Sequence, residues 1–537
     1  MITVDDLCRS YLDLKYHFDP AAASGAGLVS HDNRLGSFDL ETVRAHLAAL
    51  RALTVAAEEL DVDDLQDEID RTGLLGELRG VGYRWEHEKP HVRNPSYWLN
   101  HLFQAHYAVL ARSADAAPGS AAAVIERLEA VPGFLETARR TIDEPPSVFV
   151  DQALIMLGGG GELLVQVVAQ TGDREPEFRE RLQAAGKKAL EALTLFGAAL
   201  RDEIEPSTDP MSFAIGEEQF SRRLHHEHAL VAGAPELWRY GLHLQEESEA
   251  ELAALAAEVG STPWRELVDA LRTEVPEGDV LEVYRGQLER SREFLAERGL
   301  ISIPVRPVDV IPTPEFLVSL VPFAAYEPPP IFLGQRHGRF YVTRPDPALP
   351  PEQYQQQLRG HCRHAIAAMV VHEAYPGHHL QLVTAQLLRS EVRRHLWTPV
   401  MVEGWALYCE QLMEEAGFYQ SFGERVFRLV NLLWRAVRIV LDIGLHTRGM
   451  SPQEAVEYMV SHLPIERTSA EAEVRRYCAW PTYQLCYAVG RREILRLRDA
   501  YREKTGAGFS LSRFHDELLR YGGLPVSLAR WGMDLAD

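Results

Sequence analysis

Three histidines and a glutamate lie close together in the segment H-E-A-Y-P-G-H-H, which runs from His372 to His379. A second segment, E-G-W-A-L-Y-C-E from Glu403 to Glu410, begins and ends with a glutamate. Neutral imidazole nitrogens and carboxylate oxygens are the ligands that a catalytic zinc ion prefers, and such a site uses three protein ligands and leaves a fourth position to water. The two segments therefore predict a metal site.

The spacing of the histidines restricts how this site can form. The usual zinc-peptidase motif, H-E-x-x-H, places two histidines one helical turn apart and uses the glutamate as general base. Here His378 follows His372 by six positions, so the two side chains would point to opposite sides of an unbroken helix. His379 would share the face of His372, but about 10 Å further along the axis, which is too far for one ion. A shared metal therefore requires the helix to break.

Pro376 and Gly377 predict that break. Proline lacks an N–H group, and its ring clashes with the carbonyl group four residues earlier in a helix. Gly377 can adopt a positive φ and turn the chain back. We interpret the pair as a two-residue insertion into H-E-x-x-H. His378 is then the predicted second ligand and His379 a group beside the metal or the substrate, although the reverse assignment of the two stays open.

Glu403 is the predicted third ligand. It lies 31 residues after His372, a separation that fits a second helix packed against the first, and Gly404 beside it permits close approach of the backbones. Glu410 returns to the same helix face about two turns further on, so it is predicted to form a hydrogen bond and not to bind metal. The alternative is a helical core in which buried histidines and glutamates satisfy one another.

Both segments resemble those of a bacterial family, the domain-of-unknown-function 885 family. Weaker similarity to that family extends over most of the chain, in 216–220, 442–446 and 487–490. The resemblance implies a mainly α-helical, zincin-like fold of the gluzincin type with metallopeptidase activity. The sequence departs from the family pattern at Tyr483, two residues after Pro481, where relatives carry glutamine.

Composition limits the partners of the chain. The 537 residues carry a formal net charge of −23, which argues against nucleic acid or an anionic membrane as a ligand because both require a positive surface. The five cysteines are odd in number and have no paired spacing, so we expect reduced thiols. The N-terminus has no apolar signal region, and no run approaches the roughly 18 apolar residues of a membrane span. These features predict a cytoplasmic protein.

The distribution of proline predicts the domain organisation. Residues 1–300 form a predicted helical N-terminal lobe, residues 301–350 a proline-rich crossing, and residues 351–537 a helical metal-binding catalytic lobe. We expect two lobes around a cleft that admits short peptides. The β-type run 339–343, which contains Tyr341, predicts a small β edge element near the metal helix to which a peptide substrate could add as a strand. A purely structural hairpin is the alternative.

Further candidates lie downstream. An apolar helix is predicted to begin at a capping box formed by Ser421 and Glu424 and to end in Asp442 and His446. The last two are four residues apart and share a helix face, so Asp442 could orient His446 as a transition-state donor, or the two could form a buried structural pair. Gluzincins often use a tyrosine hydroxyl beside the metal. Tyr487 is the candidate here, and an ordinary packing role is its alternative.

These residues predict metal-assisted hydrolysis of an amide. The cofactor is Zn²⁺ or another divalent ion, Glu373 is the general base, and Tyr487 or His446 stabilises the oxyanion. The predicted substrate is a short peptide or a small-molecule amide. Two rival hypotheses stay open: a metallohydrolase of a non-peptide substrate, and a non-catalytic helical protein that binds a peptide or a structural metal.

Overall fold

The computed structural model describes residues 2–112, 120–260, 263–314, 318, 321, 323–334 and 337–535. These residues are mainly α-helical with one small sheet, which confirms the prediction of a mainly α-helical chain with a small β element. The chain divides into two compact units. Unit 1 comprises Met1–Asp61, Glu77–Phe213 and Pro330–Gln335, and unit 2 comprises Val62–Gly76, Ala214–Pro329 and Arg336–Asp537.

Several helices of unit 1 begin at a side-chain cap. Thr3 and Asp6 form a capping box at the start of the first helix, and Asp39 caps the third. The helices are α1 (Val4–Phe18), α2 (Pro20–Ala26), α3 (Leu40–Glu59), α5 (Pro90–Arg93), α6 (Pro95–Arg112), α7 (Ala121–Thr141), α8 (Ser147–Arg174) and α9 (Arg179–Asp202); α4 (Leu65–Tyr83) contributes residues to both units.

Helix α8 is long and apolar enough to cross a membrane by length and composition alone. Its most apolar 18-residue window has a mean hydropathy of 1.5, and 33% of that window is buried. The expectation that no segment approaches the composition of a membrane span was therefore too strong. Helix α8 packs against α6 and α9.

Unit 2 contains the predicted site and most of the remaining helices. The predicted capping box of Ser421 and Glu424 is present at the start of a long buried helix. The helices are α10 (Gly216–His228), α11 (Ala234–Glu258), α12 (Trp264–Arg272), α13 (Val280–Arg298), α14 (Pro351–Gly360), α15 (Arg363–Glu373), α16 (His378–Ala385), α17 (Glu391–His395), α18 (Pro399–Glu415), α19 (Phe422–Thr447), α20 (Pro452–His462), α21 (Arg467–Ala479), α22 (Cys486–Thr505), α23 (Leu511–Leu519) and α24 (Val526–Gly532).

The sheet of unit 2 has three strands among the described residues: β1 (Val308–Pro312), β2 (Ala324–Glu327) and β3 (Gly338–Val342). Their spatial order is β1-β3-β2, with β3 parallel to β1 and antiparallel to β2. The prediction that 339–343 offers an edge for a substrate strand is therefore wrong, because the backbone of β3 is paired on both sides. The strand next to α16 is β2, and β2 lies at an edge of the sheet.

One buried histidine of unit 1 predicts a pH dependence of stability. His106 is 1% exposed on α6, and its Nδ1–H donates to Leu102 O over 2.8 Å. Burial lowers the pKa of His106 from 6.5 to about 3. Between these values the unfolded chain binds a proton that the folded chain does not, so the free energy of unfolding decreases as the pH falls from 6.5 towards 3.

We expect His106→Asn to remove this proton uptake. In urea titrations near pH 5, the slope of the unfolding free energy against pH should become shallower by about 1.4 kcal/mol per pH unit. His87→Asn is the control, because the His87 ring is 51% exposed in the same unit. Equal slopes for the parent and the His106 variant would contradict the prediction.

Candidate metal centre

The predicted helix break is confirmed. Helix α15 ends at Glu373 and α16 begins at His378, with a cis peptide bond between Tyr375 and Pro376 in the connecting segment. Two neighbouring helices hold this segment: Ser291 Oγ donates to Tyr375 O over 2.6 Å, and the indole N–H of Trp405 donates to Pro376 O over 2.9 Å. The break is therefore fixed by contacts from α13 and α18.

Gly377 has a different function from the predicted one. Its φ is −71°, so the expected positive φ is wrong. Its N–H donates to Val371 O over 3.0 Å, and a Cβ atom at this position would overlap the carbonyl oxygens of His372 and Val371. Glycine is needed here because the chain passes directly over the last turn of α15.

This path brings His372, His378 and Glu403 together. One ligand atom from each side chain lies within 4.8 Å of the others. Glu403 Oε2 is 3.7 Å from His372 Nε2 and 3.3 Å from His378 Nε2. The two imidazole rings are nearly perpendicular, at 87°, with their centroids 4.8 Å apart. Two nitrogens and one carboxylate oxygen thus converge on one point, and this donor set fits a zinc-type divalent ion.

His379 points away from this cluster. Its Nε2 lies 2.8 Å from Arg306 O and its Nδ1 lies 3.0 Å from Tyr326 Oη. A carbonyl oxygen only accepts, so Nε2 carries the proton and Nδ1 accepts from the Tyr326 hydroxyl. Burial lowers the pKa of His379 to about 4, which keeps the ring neutral. His379 therefore links the start of α16 to β2 and to the segment before β1.

Glu410 is hydrogen-bonded to the Nδ1 side of the His372 ring. Its Oε1 lies 2.9 Å from His372 Nδ1, and its Oε2 accepts from Asn431 Nδ2 over 3.2 Å. Glu410 is fully buried on α18. A carboxylate on Nδ1 fixes the tautomer of the ring and leaves Nε2 to face Glu403 and His378.

The electrostatics of the cluster favour a bound cation. Burial alone would lower the pKa of His372, but its interactions with the carboxylates of Glu403 and Glu410 outweigh burial and raise the pKa to about 9. Burial alone would raise the pKa of Glu403, but His372 and His378 outweigh it and hold this pKa well below its usual range. The carboxylates thus stabilise positive charge between them, whether a proton or a metal ion supplies it.

Glu373 faces the sheet. Its Oε2 accepts from the backbone N–H of Tyr326 over 3.2 Å. Tyr326 lies in β2, opposite Phe340 of β3, and its N–H group is directed away from β3. The Glu373 carboxylate, next to the first histidine of the cluster, is therefore held against the outer edge of β2 in the described part of the sheet.

Tyr483 is a site residue that the sequence analysis did not select. Its hydroxyl donates to Glu403 Oε1 over 2.7 Å. The turn that carries it is held by Asp442, whose two oxygens accept from Thr482 N over 3.0 Å and from Leu485 N over 3.2 Å. Burial raises the pKa of Asp442 to about 7, although these backbone donors oppose the shift. The available signal was the departure from the family pattern at Tyr483.

His446 holds the other end of the same segment. Its Nε2 donates to Tyr477 O over 3.0 Å, and the ring is buried. His446 thus hydrogen-bonds to backbone in the last turn of α21, and Asp442 hydrogen-bonds to backbone between α21 and α22. Tyr487, the predicted oxyanion donor, lies closer to the cluster, since its ring is nearly parallel to that of His372 at a centroid distance of 6.3 Å.

Tyr341 lies in the central strand β3 and is 4% exposed. Its hydroxyl accepts from Arg339 Nη1 over 3.4 Å. Burial raises the pKa of Tyr341 to about 12. Its side chain interacts with Arg339 of its own strand and with Glu327 of β2, and its backbone is paired with Ile311 of β1 and Ala325 of β2.

A family described as "Bacterial protein of unknown function (DUF885)" matches residues 20–533. The chain belongs to the DUF885 family. Two solved structures share the fold of this DUF885 protein. A "putative lipoprotein of unknown function" from Shewanella oneidensis is 22% identical, with a TM-score of 0.81 over 99% of this chain and 100% of that one. A "putative lipoprotein" from Colwellia psychrerythraea is 18% identical, with a TM-score of 0.85 over 99% of both chains. No curated protein matches.

Two glycines set the separation of the helices behind the DUF885 site. A Cβ atom on Gly404 of α18 would lie 2.5 Å from Gly490 Cα of α22, and one on Gly490 would overlap Val400 O. The backbones of α18 and α22 therefore touch. This contact places Glu403, next to Gly404, near Tyr487, which precedes Gly490 by less than one turn.

We expect Gly490→Ala to separate α18 from α22 and to lower the free energy of unfolding by about 1–3 kcal/mol, the usual cost of overpacking. Gly286→Ala is the matched control in α13, because a Cβ atom there meets nothing within 4 Å. Alanine is a better helix former than glycine, so this control should gain up to about 1 kcal/mol. Denaturant titration measures both, and a loss of similar size in the two variants would contradict the explanation.

Proposed function

We propose that this protein is a zinc-dependent metallopeptidase with a gluzincin-like catalytic unit, which hydrolyses amide bonds of short peptides. The observation that carries the proposal is the convergence of His372, His378 and Glu403 beside Glu373, with the helix break compensating for the long spacing of the motif. Manganese or iron would also suit this donor set, since selectivity in the cell depends on metal availability.

The residues fit a catalytic ion better than a structural one. Three side chains converge, whereas a structural zinc site is normally closed by four protein ligands. His379 has both ring nitrogens engaged elsewhere, and Glu410 is bonded to His372 and Asn431. A divalent ion held by the cluster would lower the pKa of a water molecule and polarise a scissile carbonyl group.

Glu373 is the proposed general base. Its position next to His372 follows the H-E pattern of zinc peptidases, in which the glutamate accepts a proton from water and passes it to the leaving amine. The N–H of Tyr326 holds one carboxylate oxygen of Glu373, which leaves the other available to a water molecule.

The two tyrosines of the 483–487 turn have separate proposed roles. Tyr483 donates to Glu403 and so fixes the orientation of the third ligand. The Tyr487 ring lies against His372, and its hydroxyl is the proposed donor to the developing oxyanion. His446 has its Nε2 bonded to Tyr477 O, so we propose that it supports the turn.

Strand β2 is the proposed place for the peptide. It is an edge strand in the described part of the sheet, and Glu373 contacts its outer N–H group. An extended peptide that adds to this edge would gain backbone hydrogen bonds and would carry its carbonyl groups past Glu373. We therefore propose that the peptide substrate pairs with strand 324–327, and not with the strand at 339–343 as the sequence predicted.

We expect the purified protein to bind about one zinc ion per chain. Elemental analysis should show that His378→Ala and Glu403→Gln abolish binding, because each removes one of three ligands. Glu410→Gln should retain the ion but weaken its affinity by about 10- to 100-fold, as loss of a partner of a ligand does. Failure of the parent protein to take up zinc at micromolar concentration would contradict the ligand assignment.

We expect zinc-loaded protein to cleave members of a short-peptide library. Glu373→Gln should keep its zinc but lose about 10²- to 10⁴-fold in kcat, the usual contribution of a general base. Mass spectrometry of the digest identifies the cleaved bonds. A Glu373→Gln variant with normal turnover would exclude Glu373 as the general base. A zinc-loaded parent protein that cleaves no peptide would contradict the peptidase proposal and favour a non-peptide amide as substrate.

A further inference from the structure

Helix α19 presents a polar face to the candidate metal centre. Asn431, Arg435, Arg438 and Asp442 follow a spacing of four, three and four residues, which places them on one side of the helix. Asn431 bonds to Glu410, and Asp442 holds the turn of Tyr483. The two arginines between them therefore belong to the wall of the same site.

Both arginines contact the ring of Tyr487. The guanidinium carbon lies 5.7 Å from the ring centroid for Arg435 and 4.8 Å for Arg438. The same ring stacks beside His372. One aromatic ring thus contacts two cationic groups and also lies beside the imidazole that would hold the metal.

The two arginines differ in how their charge is neutralised. Arg438 is 8% exposed, and its Nη2 lies 3.2 Å from Glu473 Oε2, which also pairs with Arg476 over 2.7 Å. Its Nε donates to Tyr477 Oη over 2.9 Å. One carboxylate therefore serves two guanidinium groups, so this region carries excess positive charge.

Arg435 has no such partner. Within the described part of the chain it forms no salt bridge shorter than 4.0 Å, and its Nε is buried without a hydrogen-bond partner. Its Nη1 donates to Asn431 O at the long distance of 3.4 Å. A guanidinium group has five N–H donors in a planar fork, so most of the donors of this half-buried side chain are left for a ligand.

We propose that Arg435 binds a carboxylate group of the peptide substrate, with Arg438 contributing charge behind it. This inference rests on the proposed peptidase function, because it identifies the part of the substrate that lies next to the reacting bond. A guanidinium fork matches a carboxylate with two parallel hydrogen bonds. An extended peptide advances about 3.3 Å per residue, so the carboxylate belongs to a residue close to the scissile bond.

Two kinds of peptide supply this chemistry. One carries a C-terminal carboxylate one or two residues beyond the cleaved bond, and the other carries an aspartate or glutamate side chain near it. Arg435 also lies near Glu410, whose pKa is lowered by the His372 hydrogen bond and by the charge of Arg435 against the opposing effect of burial. A purely internal role as a counter-charge is therefore the outcome that an experiment must exclude.

Binding to the zinc-loaded Glu373→Gln protein separates these outcomes without requiring cleavage. Isothermal titration uses three peptides: trialanine, trialanine amide, and Ala-Ala-Glu amide. We expect at least one peptide with a free carboxylate to bind about tenfold more tightly than trialanine amide, or about 1.4 kcal/mol. A preference for trialanine identifies the C-terminus as the source, and a preference for Ala-Ala-Glu amide identifies the side chain.

Arg435→Gln in the same background should remove this preference and leave the affinity for trialanine amide unchanged. Arg425→Gln is the matched control, because Arg425 is an exposed residue of the same helix and its loss changes the net charge equally. Equal affinities for all three peptides, or no measurable binding of any, would overturn the inference. So would a preference that survives Arg435→Gln, since the metal itself would then be the carboxylate ligand.

Failure of this inference is distinguishable from failure of the peptidase proposal. If the parent protein cleaves acid and amide peptides equally well, Arg435 is not a carboxylate ligand and the peptidase function stands. If the peptides bind through Arg435 but the zinc-loaded parent cleaves none of them, the hydrolase proposal fails and the carboxylate site stands.

Discussion

The arrangement of the candidate centre depends on the passage of Gly377 over the last turn of α15. The carbonyl oxygens of His372 and Val371 occupy the space that a Cβ atom would need, so only glycine permits the chain to turn at this distance. Without that turn, His378 would point away from His372 on a continuous helix. The relative position of the two histidine ligands therefore depends on a backbone contact in which no ligand atom takes part.

A second backbone contact has the same kind of effect on the other side of the site. Gly404 and Gly490 let α18 touch α22. Glu403, next to Gly404, and Tyr487, less than one turn before Gly490, are thereby brought near His372. Interior packing is dense enough that a single added methylene group is felt. In both contacts, glycine lets two backbone segments approach closely. This close approach places a charged or aromatic side chain at the site.

The local parts of this site were predictable from sequence, because a helix break and a ligand pattern are encoded by adjacent residues. The contacts of Tyr326 and Tyr483 were not, since each joins segments that are far apart in the chain and depends on how the sheet and the α21–α22 turn are placed. The same limitation explains the error over β3. The sequence of a strand indicates that it pairs, but not on how many sides.

The roles of Asp442 and His446 show a related limit. Their spacing of four residues correctly places them on one helix face, but a shared face does not identify the partner that each side chain meets. In the folded chain both hydrogen-bond to backbone of the segment that carries Tyr483. The other residues on this helix face indicate the site more directly than Asp442 and His446 do. Asn431, Arg435 and Arg438 lie on the same face and extend it towards the metal cluster.

This polar face also bears on how an acidic chain could select an anionic ligand. A formal net charge of −23 opposes the approach of anions at long range, and such fields are screened beyond a Debye length of about 8 Å at physiological ionic strength. Selection must then come from short-range contact, where half-buried charges interact more strongly than in water. Arg435 and Arg438 meet that requirement, because both lie beside the cluster. Among the described residues Arg435 forms no salt bridge, and Arg438 shares the carboxylate of Glu473 with Arg476.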